Sequence, residues 1–599
     1  MRRDGFAPIG EYGVIGDGRS AALVAADGRV DWWAVPSMDA PPVFAAILDP
    51  AGGGTFALEP AVPYQAERRY LPGTNVLETT FRTSGGEVRV VDALNRDVDG
   101  PLPWTELARE VRGTAGEVPM RWRAAPGSRF GRARPWAWRR DGWPLLRLED
   151  QEIAVVTDQA GEPRVGRAEV CGEFTARPGA DALLALTAAD RGPVPLPRPD
   201  RVRVRLRATE ASWRRWSQTV EYRGPGRDLV VRSALVLKLL TYAPTRGLLA
   251  ATTTSLPERI GGERNYDYRY GWVRDTSFAL DTLIRLGLQH DAHGTLTWLL
   301  HAVSGTAPDI RPCYGMRGGI PDEGGELPVP GYRDSRPAHD GNQAVSQPQW
   351  GNFGDLFQVV WLAASRGLVV LDPETARMLE RVADRVCDVW DKPDSGIWEL
   401  GTRRHYTISK MSCWVALDRA ACLAENGQLP AGDAGRWRAE AAALRDWIEA
   451  GCWSQARRSY SFYAGSDDLD AAVLLAGRMG YLPPDDPRFG QTIDAIRGEL
   501  ADGALLYRYT GSRQQEGAFL ACSFWLADAL ALAGRPGEAR RVFTETAARA
   551  SDLGLLSEEV DPASGELLGN VPQALSHLAL LMAACELASA DAAAPAGSA

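Results

Sequence analysis

The spacing of apolar residues divides this chain into two parts. Up to about residue 205 the apolar runs are short, either alternating with polar residues or continuous. They include SAALVAADGRVDWWAV, NVLETTFRT, EVRVVDAL, EIAVVTD, DALLALTA and RVRVRLRA, set between Gly, Pro and Asp turns. Runs of this kind predict strands, and the Asp-Gly of AADGRVDW predicts a hairpin. Many short strands with regular turn signals predict an antiparallel β-sandwich over residues 1–205. The proline-rich PVPLPRPD at 193–200 breaks the pattern, and ATEASWRRWSQTV predicts a linker helix within a linker region at 206–227.

From residue 228 the period becomes helical. Twelve segments repeat apolar residues every three to four positions: 228–242, 276–287, 290–303, 353–367, 372–390, 406–425, 431–451, 468–480, 486–500, 516–534, 536–550 and 570–589. The connections between them alternate between short and long. Six helix pairs with tight turns at one end and long loops at the other predict an (α/α)6 barrel over 228–590. All six long loops then emerge on one face around one cleft, which is where a rigid scaffold displays function. DAAAPAGSA at 591–599 reads as a disordered tail.

Composition narrows the field. Hydrophobic residues make up 45% and charged residues 24%, as in a folded globular protein. The net charge of −10 gives little attraction for phosphate backbones or anionic lipid, so neither nucleic acid nor membrane is expected as a partner. No apolar run in the pattern reaches the roughly 18 residues of a bilayer span. MRRDGFAPIGEYG lacks an apolar stretch after its arginines, so no secretory signal is expected. The eight cysteines form no CxxC pair, and most fall in apolar helical patterns. Reduced thiols in a cytoplasmic protein are the expectation. Oligomeric state is left open. Twenty tryptophans fit a protein that stacks on sugar rings as well as one with a large core.

The long loops carry the candidate chemistry. The first ends in GGERNYDYRYGWVRDTSFAL, with Asp267, Arg269, Arg274 and Asp275 among Tyr266, Tyr268, Tyr270 and Trp272. Arg and Asp beside aromatic faces can bind vicinal hydroxyls and cover a sugar ring; an ion pair at a helix start is the equal alternative. The third loop holds Glu399 next to Trp398. A carboxyl against an indole is poorly solvated, which raises its pKa and suits a general acid. The sixth loop carries Glu558, Glu559 and Glu566 after an apolar LGLL run. Each glutamate alone reads as a solvated loop residue. Together, on loops that lie across the barrel mouth from each other, Glu399 and Glu558 can flank a scissile glycosidic bond. LLYRYTG in the fifth loop adds Arg508.

These segments resemble the glucoamylase family of glycoside hydrolases, family 15, in its bacterial two-domain form. The likeness runs from IGEYGVIGDGRSAALVAADGRVDWWAVPSMDAPPVFAAILD through RNYDYRYGWVRD, SGIWELGTRRHYTISKMSCWVALDRA and EGAFLACSFWLADAL to LLSEEVDPASGELLGNVPQALSHLAL. The resemblance implies Glu399 as general acid and Glu558 as general base. It implies Arg274 and Asp275, with Tyr268, Trp272, Trp398 and Arg508, as binders of an α-glucoside oligosaccharide or disaccharide. It implies inversion and the release of β-glucose, with no metal and no cofactor. The second loop departs from the family pattern: Gly351 replaces an acidic residue and Asp355 a glutamate, which bears on the leaving-group subsite. Gly271 stands where cysteine is common. Glucoamylase-like hydrolysis is the leading expectation, with trehalose or α-1,6-linked glucosides as alternatives. A noncatalytic sugar-binding relative is an alternative of another class. SDDLD at 466–470 lacks the spacing of a magnesium-diphosphate motif, and Asp467 reads as a helix cap.

Overall fold

The computed structural model describes residues 2–97, 100–189 and 193–593. Its N-terminal part is two antiparallel sheets of eight strands each. One runs from Tyr12–Gly16 through Ala21–Ala25, Arg29–Ala34, Gly54–Pro60, Val118–Pro126 and Val170–Ala176 to Arg164–Val165, with Pro42–Phe44 paired beside Arg29–Ala34. The other runs from Trp136–Arg140 through Trp143–Leu148, Gln151–Asp158, Asp181–Ala188, Thr105–Gly116, Gly86–Leu94 and Leu77–Thr83 to Tyr64–Tyr70. In Val118–Pro126, Val118, Met120, Trp122 and Ala124 are buried while Pro119, Arg121 and Arg123 face solvent, as the pleat requires. The predicted hairpin forms at Asp27-Gly28, where Gly28 has φ +80°.

One predicted strand is a helix. RVRVRLRA lies in α1, Pro199–Ser217, so helix begins inside the span read as β-structure. Pro199 sits in its first turn, and the buried positions are Val202, Arg205, Leu206, Thr209, Trp213 and Ser217. That spacing is helical, and Val204, which completed the apparent alternation, is 54% exposed.

The remaining helices are α2 (Arg227–Leu240), α3 (Val273–Arg285), α4 (Gln289–Ser304), α5 (Gly351–Ser365) and α6 (Pro373–Val389). They continue with α7 (Thr407–Glu425), α8 (Ala434–Gly451), α9 (Pro487–Leu500), α10 (Leu520–Leu532), α11 (Pro536–Ala547) and α12 (Ala574–Ala593). The segment predicted at 468–480 is a short 3-10 helix, Ala471–Ala476, capped by Asp470 and not by Asp467. An inner ring closes in the order α3, α5, α7, this 3-10 helix, α10 and α12. The other helices α2, α4, α6, α8, α9 and α11 pack around it, which makes the (α/α)6 barrel. Each long connection leads from an outer helix to the N-terminus of an inner one. Those connections are 241–272, 305–350, 390–406, 452–470, 501–519 and 548–573.

The ring explains the composition of its members. Leu520 to Ala531 of α10 are buried without a break, because an inner helix has neighbours on every side. For the same reason Ala574–Ala592 is long and apolar enough to cross a bilayer, against the expectation from the pattern, yet 72% of its apolar window is buried in the barrel. The tail read at 591–599 begins inside α12, and 594–599 lie outside the described residues. All eight cysteines are unpaired. The β-sheets lean on the barrel: a Cβ built on Gly16 would lie 2.7 Å from Leu239 of α2. In the ring, a Cβ on Gly354 would meet the Ser412 carbonyl oxygen at 2.4 Å, so α5 and α7 touch through this glycine. Gly354→Ala should therefore destabilise the fold by about 1–3 kcal/mol, read as a lowered Tm in calorimetry.

Candidate active site

The N-termini of the inner ring open into a cavity of about 340 Å³. Its lining includes Tyr268, Trp272, Arg274, Asp275, Trp398, Glu399, Arg508 and Glu558, drawn from four of the long connections and the first turn of α3. The sixth connection is stitched to the first: Ala574 N–H donates to the Ala250 carbonyl at 2.7 Å, and Thr253 Oγ1 to Asn570 Oδ1 at 2.8 Å. That stitching brings Tyr268 Oη to Glu558 Oε1 at 2.7 Å. Gln573 Nε2 donates to the same oxygen at 3.2 Å, and among the described residues Glu558 Oε2 receives no hydrogen bond. Gly569, with φ +73°, leaves the space: a Cβ there would lie 2.7 Å from Glu558 Oε2.

Glu399 is held from the other side of the same segment. Trp272 Nε1 donates to Glu399 Oε1 at 2.6 Å, and Gln347 Nε2 to the Glu399 carbonyl at 3.1 Å. Glu399 has φ +60°, a left-handed conformation that costs a non-glycine residue about 1–3 kcal/mol and persists where its surroundings impose it. Arg274 Nη1 donates to the Ile397 carbonyl at 2.8 Å, and Arg274 Nε pairs with Asp275 at 3.0 Å. The Arg-Asp pair is thus an ion pair in the first turn of α3 and also part of the cavity wall.

The indole beside Glu399 differs from the expectation. Trp398 lines the cavity but sends its N–H to Asp470 Oδ1 at 2.8 Å and packs on Phe519 and Trp525. The indole that touches the Glu399 carboxyl is Trp272. Burial raises the Glu399 pKa, opposed by Arg274 and by the Trp272 hydrogen bond. Burial also raises that of Glu558, helped by the charge of Glu258 and opposed by Arg508 and Tyr268.

Arg508 is committed to carboxylates. Its Nε donates to Glu516 Oε1 at 2.7 Å and its Nη2 to Glu258 Oε2 at 2.7 Å, with a closer contact to Glu516. Glu258, Glu516 and Glu559 bring carboxylate oxygens within 4.8 Å of one another, and two arginines pair with them: Arg508, its Nη2 3.8 Å from Glu559, and Arg264, in close contact with Glu516 and 3.6 Å from Glu258. Glu566 pairs with Arg333 at 2.8 Å and is not part of the lining. His290 and His293 are exposed on α4. Gly351 and Asp355 line a second, small chamber with Arg274, Gln349 and Ile397. At Gly271 a side chain has no room: its Cβ would lie 2.6 Å from the Trp298 ring.

A family model for glycosyl hydrolases family 15 matches residues 224–585, and one described as trehalase-like, N-terminal matches residues 3–142. The chain belongs to glycosyl hydrolases family 15. Similar proteins include trehalase of Mycolicibacterium smegmatis, 36% identical over 98% of this chain and 92% of the relative. Trehalase of Mycobacterium tuberculosis is 37% identical over 98% and 91%, and trehalase of Thermoplasma volcanium 32% over 98% and 94%. A crystal structure of bacterial glucoamylase complexed with acarbose shares the fold, with a TM-score of 0.72 at 12% identity over 98% of this chain and 95% of that one. The protein is a glycoside hydrolase with a β-sandwich before an (α/α)6 barrel.

Several groups in and around this cavity gave no signal in the sequence. Glu258, Arg264, His339, Asn342 and Gln573 line the cavity from loop positions that look ordinary in one dimension. His577 is fully buried on α12; its Nε2 accepts from Leu556 N–H at 3.1 Å, two residues before Glu558. Burial pushes its pKa down to about 3, so it stays neutral and keeps that acceptor. Asp470 is fully buried and its pKa is raised to about 7 by burial, against an ordinary value near 3.8. A carboxyl raised in the fold contributes stability while protonated, below its unfolded pKa, and loses it as pH rises through the folded pKa. Asp470→Asn keeps an acceptor for Trp398 without the charge. Its stability relative to the wild type should therefore rise between about pH 4 and pH 7 and level off above, measured as Tm across pH; a parallel pair of curves would refute this.

Proposed function

We propose that this enzyme hydrolyses α,α-trehalose with inversion at one anomeric carbon. Glu399, protonated, donates to the glycosidic oxygen as that bond breaks. Glu558, ionised, takes a proton from the water that attacks C1 on the opposite face. The observation that carries the reading is that both carboxyls line one cavity, each gripped at a single oxygen by an aromatic donor, Trp272 for Glu399 and Tyr268 for Glu558. Glu558 keeps its second oxygen for water. Arg274 and Asp275 bind hydroxyls of the ring under attack, with Tyr268, Trp272 and Trp398 as walls. Arg508 holds the charged end of the cavity. The choice of trehalose is supported by relatives named trehalase that match along nearly the whole chain. Release of β-glucose from maltose-type or α-1,6-linked glucosides is the second reading, tested by the same assay. The unpaired cysteines support a reducing compartment, the cytoplasm.

Proton NMR of the first minutes of reaction tests substrate and stereochemistry together. Inversion of trehalose yields one β-glucose and one α-glucose per bond; two α-glucoses would mean retention. β-Glucose from maltose or isomaltose, with trehalose inert, would favour the second reading. Glu399→Gln and Glu558→Gln should each lose about 10²–10⁴-fold in kcat while keeping the wild-type Tm; an active variant removes that residue from its role. Activity should fall at low pH as Glu558 takes up a proton and at high pH as Glu399 loses one. Both carboxyls are raised, so the acid limb of kcat/KM should lie above the ordinary glutamate value of about 4.3.

A further inference from the structure

Glu258 is a buried carboxylate in the cavity wall that the proposed mechanism leaves unused. It is 2% exposed and lines the same cavity as Glu399 and Glu558. Its backbone is clamped between three long connections. Glu258 N–H donates to the Arg264 carbonyl and Gly517 N–H to the Glu258 carbonyl, each at 3.2 Å, while Gly569 N–H donates to the Pro257 carbonyl at 2.8 Å. A loop carboxylate held in this way is preorganised.

Its bonding is half complete. Glu258 Oε2 accepts from Arg508 Nη2 at 2.7 Å and lies 3.6 Å from Arg264 Nη1. Among the described residues, no protein group donates to Oε1. Of the neighbouring carboxylates, Glu516 and Glu558 have other partners, while Glu559 Oε1 is buried without a hydrogen bond, 3.8 Å from Arg508 Nη2. Glu516 takes Arg508 and Arg264, Glu559 Oε2 takes Gly517 N–H at 2.8 Å, and Glu558 takes Tyr268 and Gln573. Three of these carboxyl groups, Glu258, Glu516 and Glu559, thus share the guanidinium groups of Arg508 and Arg264. A buried carboxylate with an unmet acceptor is costly unless something fills it, and a sugar hydroxyl is a donor of the right kind.

Position indicates which sugar. Arg274 and Asp275 line the cavity with Glu399, their side chains only 13% and 2% exposed, and Arg274 Nη1 donates to the Ile397 carbonyl at 2.8 Å, two residues before Glu399. Arg264, 3.6 Å from Glu258 Oε2, has a side chain 26% exposed, and Tyr266, 42% exposed, lines the same cavity at its mouth. The cavity therefore has two polar ends, an inner one at Arg274 and Asp275 and an outer one at Glu258 and Arg264. We infer that Glu258 is a substrate-binding carboxylate whose free oxygen accepts hydroxyl hydrogen bonds from the departing sugar, with Arg264 as the donor beside it. This rests on the proposed reading, in which the inner end holds the ring under attack. A site built to bond a hydroxyl discriminates strongly against a leaving group that lacks one.

The test compares two substrates that share the attacked ring. α-D-Glucosyl fluoride carries fluoride where trehalose carries glucose. Water bonds to C1, the C–F bond breaks, fluoride departs with the bonding pair, and the water proton passes to Glu558. With the full chain, Glu258→Ala should lower kcat/KM on trehalose on the order of 100-fold, and at least tenfold more than on the fluoride. Residual fluoride hydrolysis reports that the variant is folded. Arg264→Gln, a change nearer the rim, should shift the same ratio in the same direction. Equal losses on both substrates, or a larger loss on the fluoride, would overturn the inference and assign Glu258 to Glu558 or to the fold. A wild type that cleaves the fluoride but not trehalose would refute the trehalose reading alone, and the ratio would then be taken with the glucoside it does cleave. No turnover of either substrate would overturn both.

Discussion

The hydrogen bonds from Tyr268 to Glu558 and from Trp272 to Glu399 set the geometry on which the site depends. The two donors are four residues apart on one strand of chain that runs into the first turn of α3, so a single rigid segment spaces carboxyl groups from two distant loops. The segment is itself braced. Arg269, between the donors, pairs with Asp267 at 2.6 Å and Asp340 at 2.9 Å, and donates to the Ala40 carbonyl at 3.2 Å. Ala40 belongs to the β-sandwich, and Arg132 of that sandwich pairs with Asp340 at 2.7 Å. The N-terminal sheets therefore help hold the cavity wall although the two glutamates lie in the barrel.

The site also concentrates negative charge where six inner helices begin. Helix N-termini favour carboxylates, and Arg264 and Arg508 offset part of the remainder. Burial still raises both Glu399 and Glu558 above the ordinary range, opposed at Glu399 by Arg274 and at Glu558 by Arg508. Strain and close approach serve the same placement. Glu399 is kept in a left-handed conformation, and Gly569 yields the space that Glu558 occupies.

Where the sequence misled, the cause was a local pattern with two readings. RVRVRLRA alternates like a strand, but the residues after it continue a helical stripe through Trp213, and packing against the sheets selects the helix. The apolar content of SDDLDAAVLLAGRMG suggested a full helix; the ring accommodates six residues of 3-10 helix there. Trp398 stands next to Glu399 in the chain, yet neighbours in sequence point apart: its indole turns to Asp470, and Trp272 takes the contact.

Periodicity and loop length are one-dimensional quantities, so the sequence by itself determined the two-part architecture, the alternation of short and long connections and the loops that carry chemistry. RNYDYRYGWVRD, the Trp-Glu at 398–399 and the Glu-Glu at 558–559 were legible together, through their placement on facing long loops and their resemblance to family 15 segments, although each glutamate alone reads as a solvated loop residue. Which oxygen of each glutamate is held, that Arg508 serves Glu258 and Glu516, that Glu258 and Gln573 line the cavity, and that His577 braces Leu556 were decided by the tertiary structure alone. Those facts are distances between residues from separate loops, and ring closure of the barrel sets them.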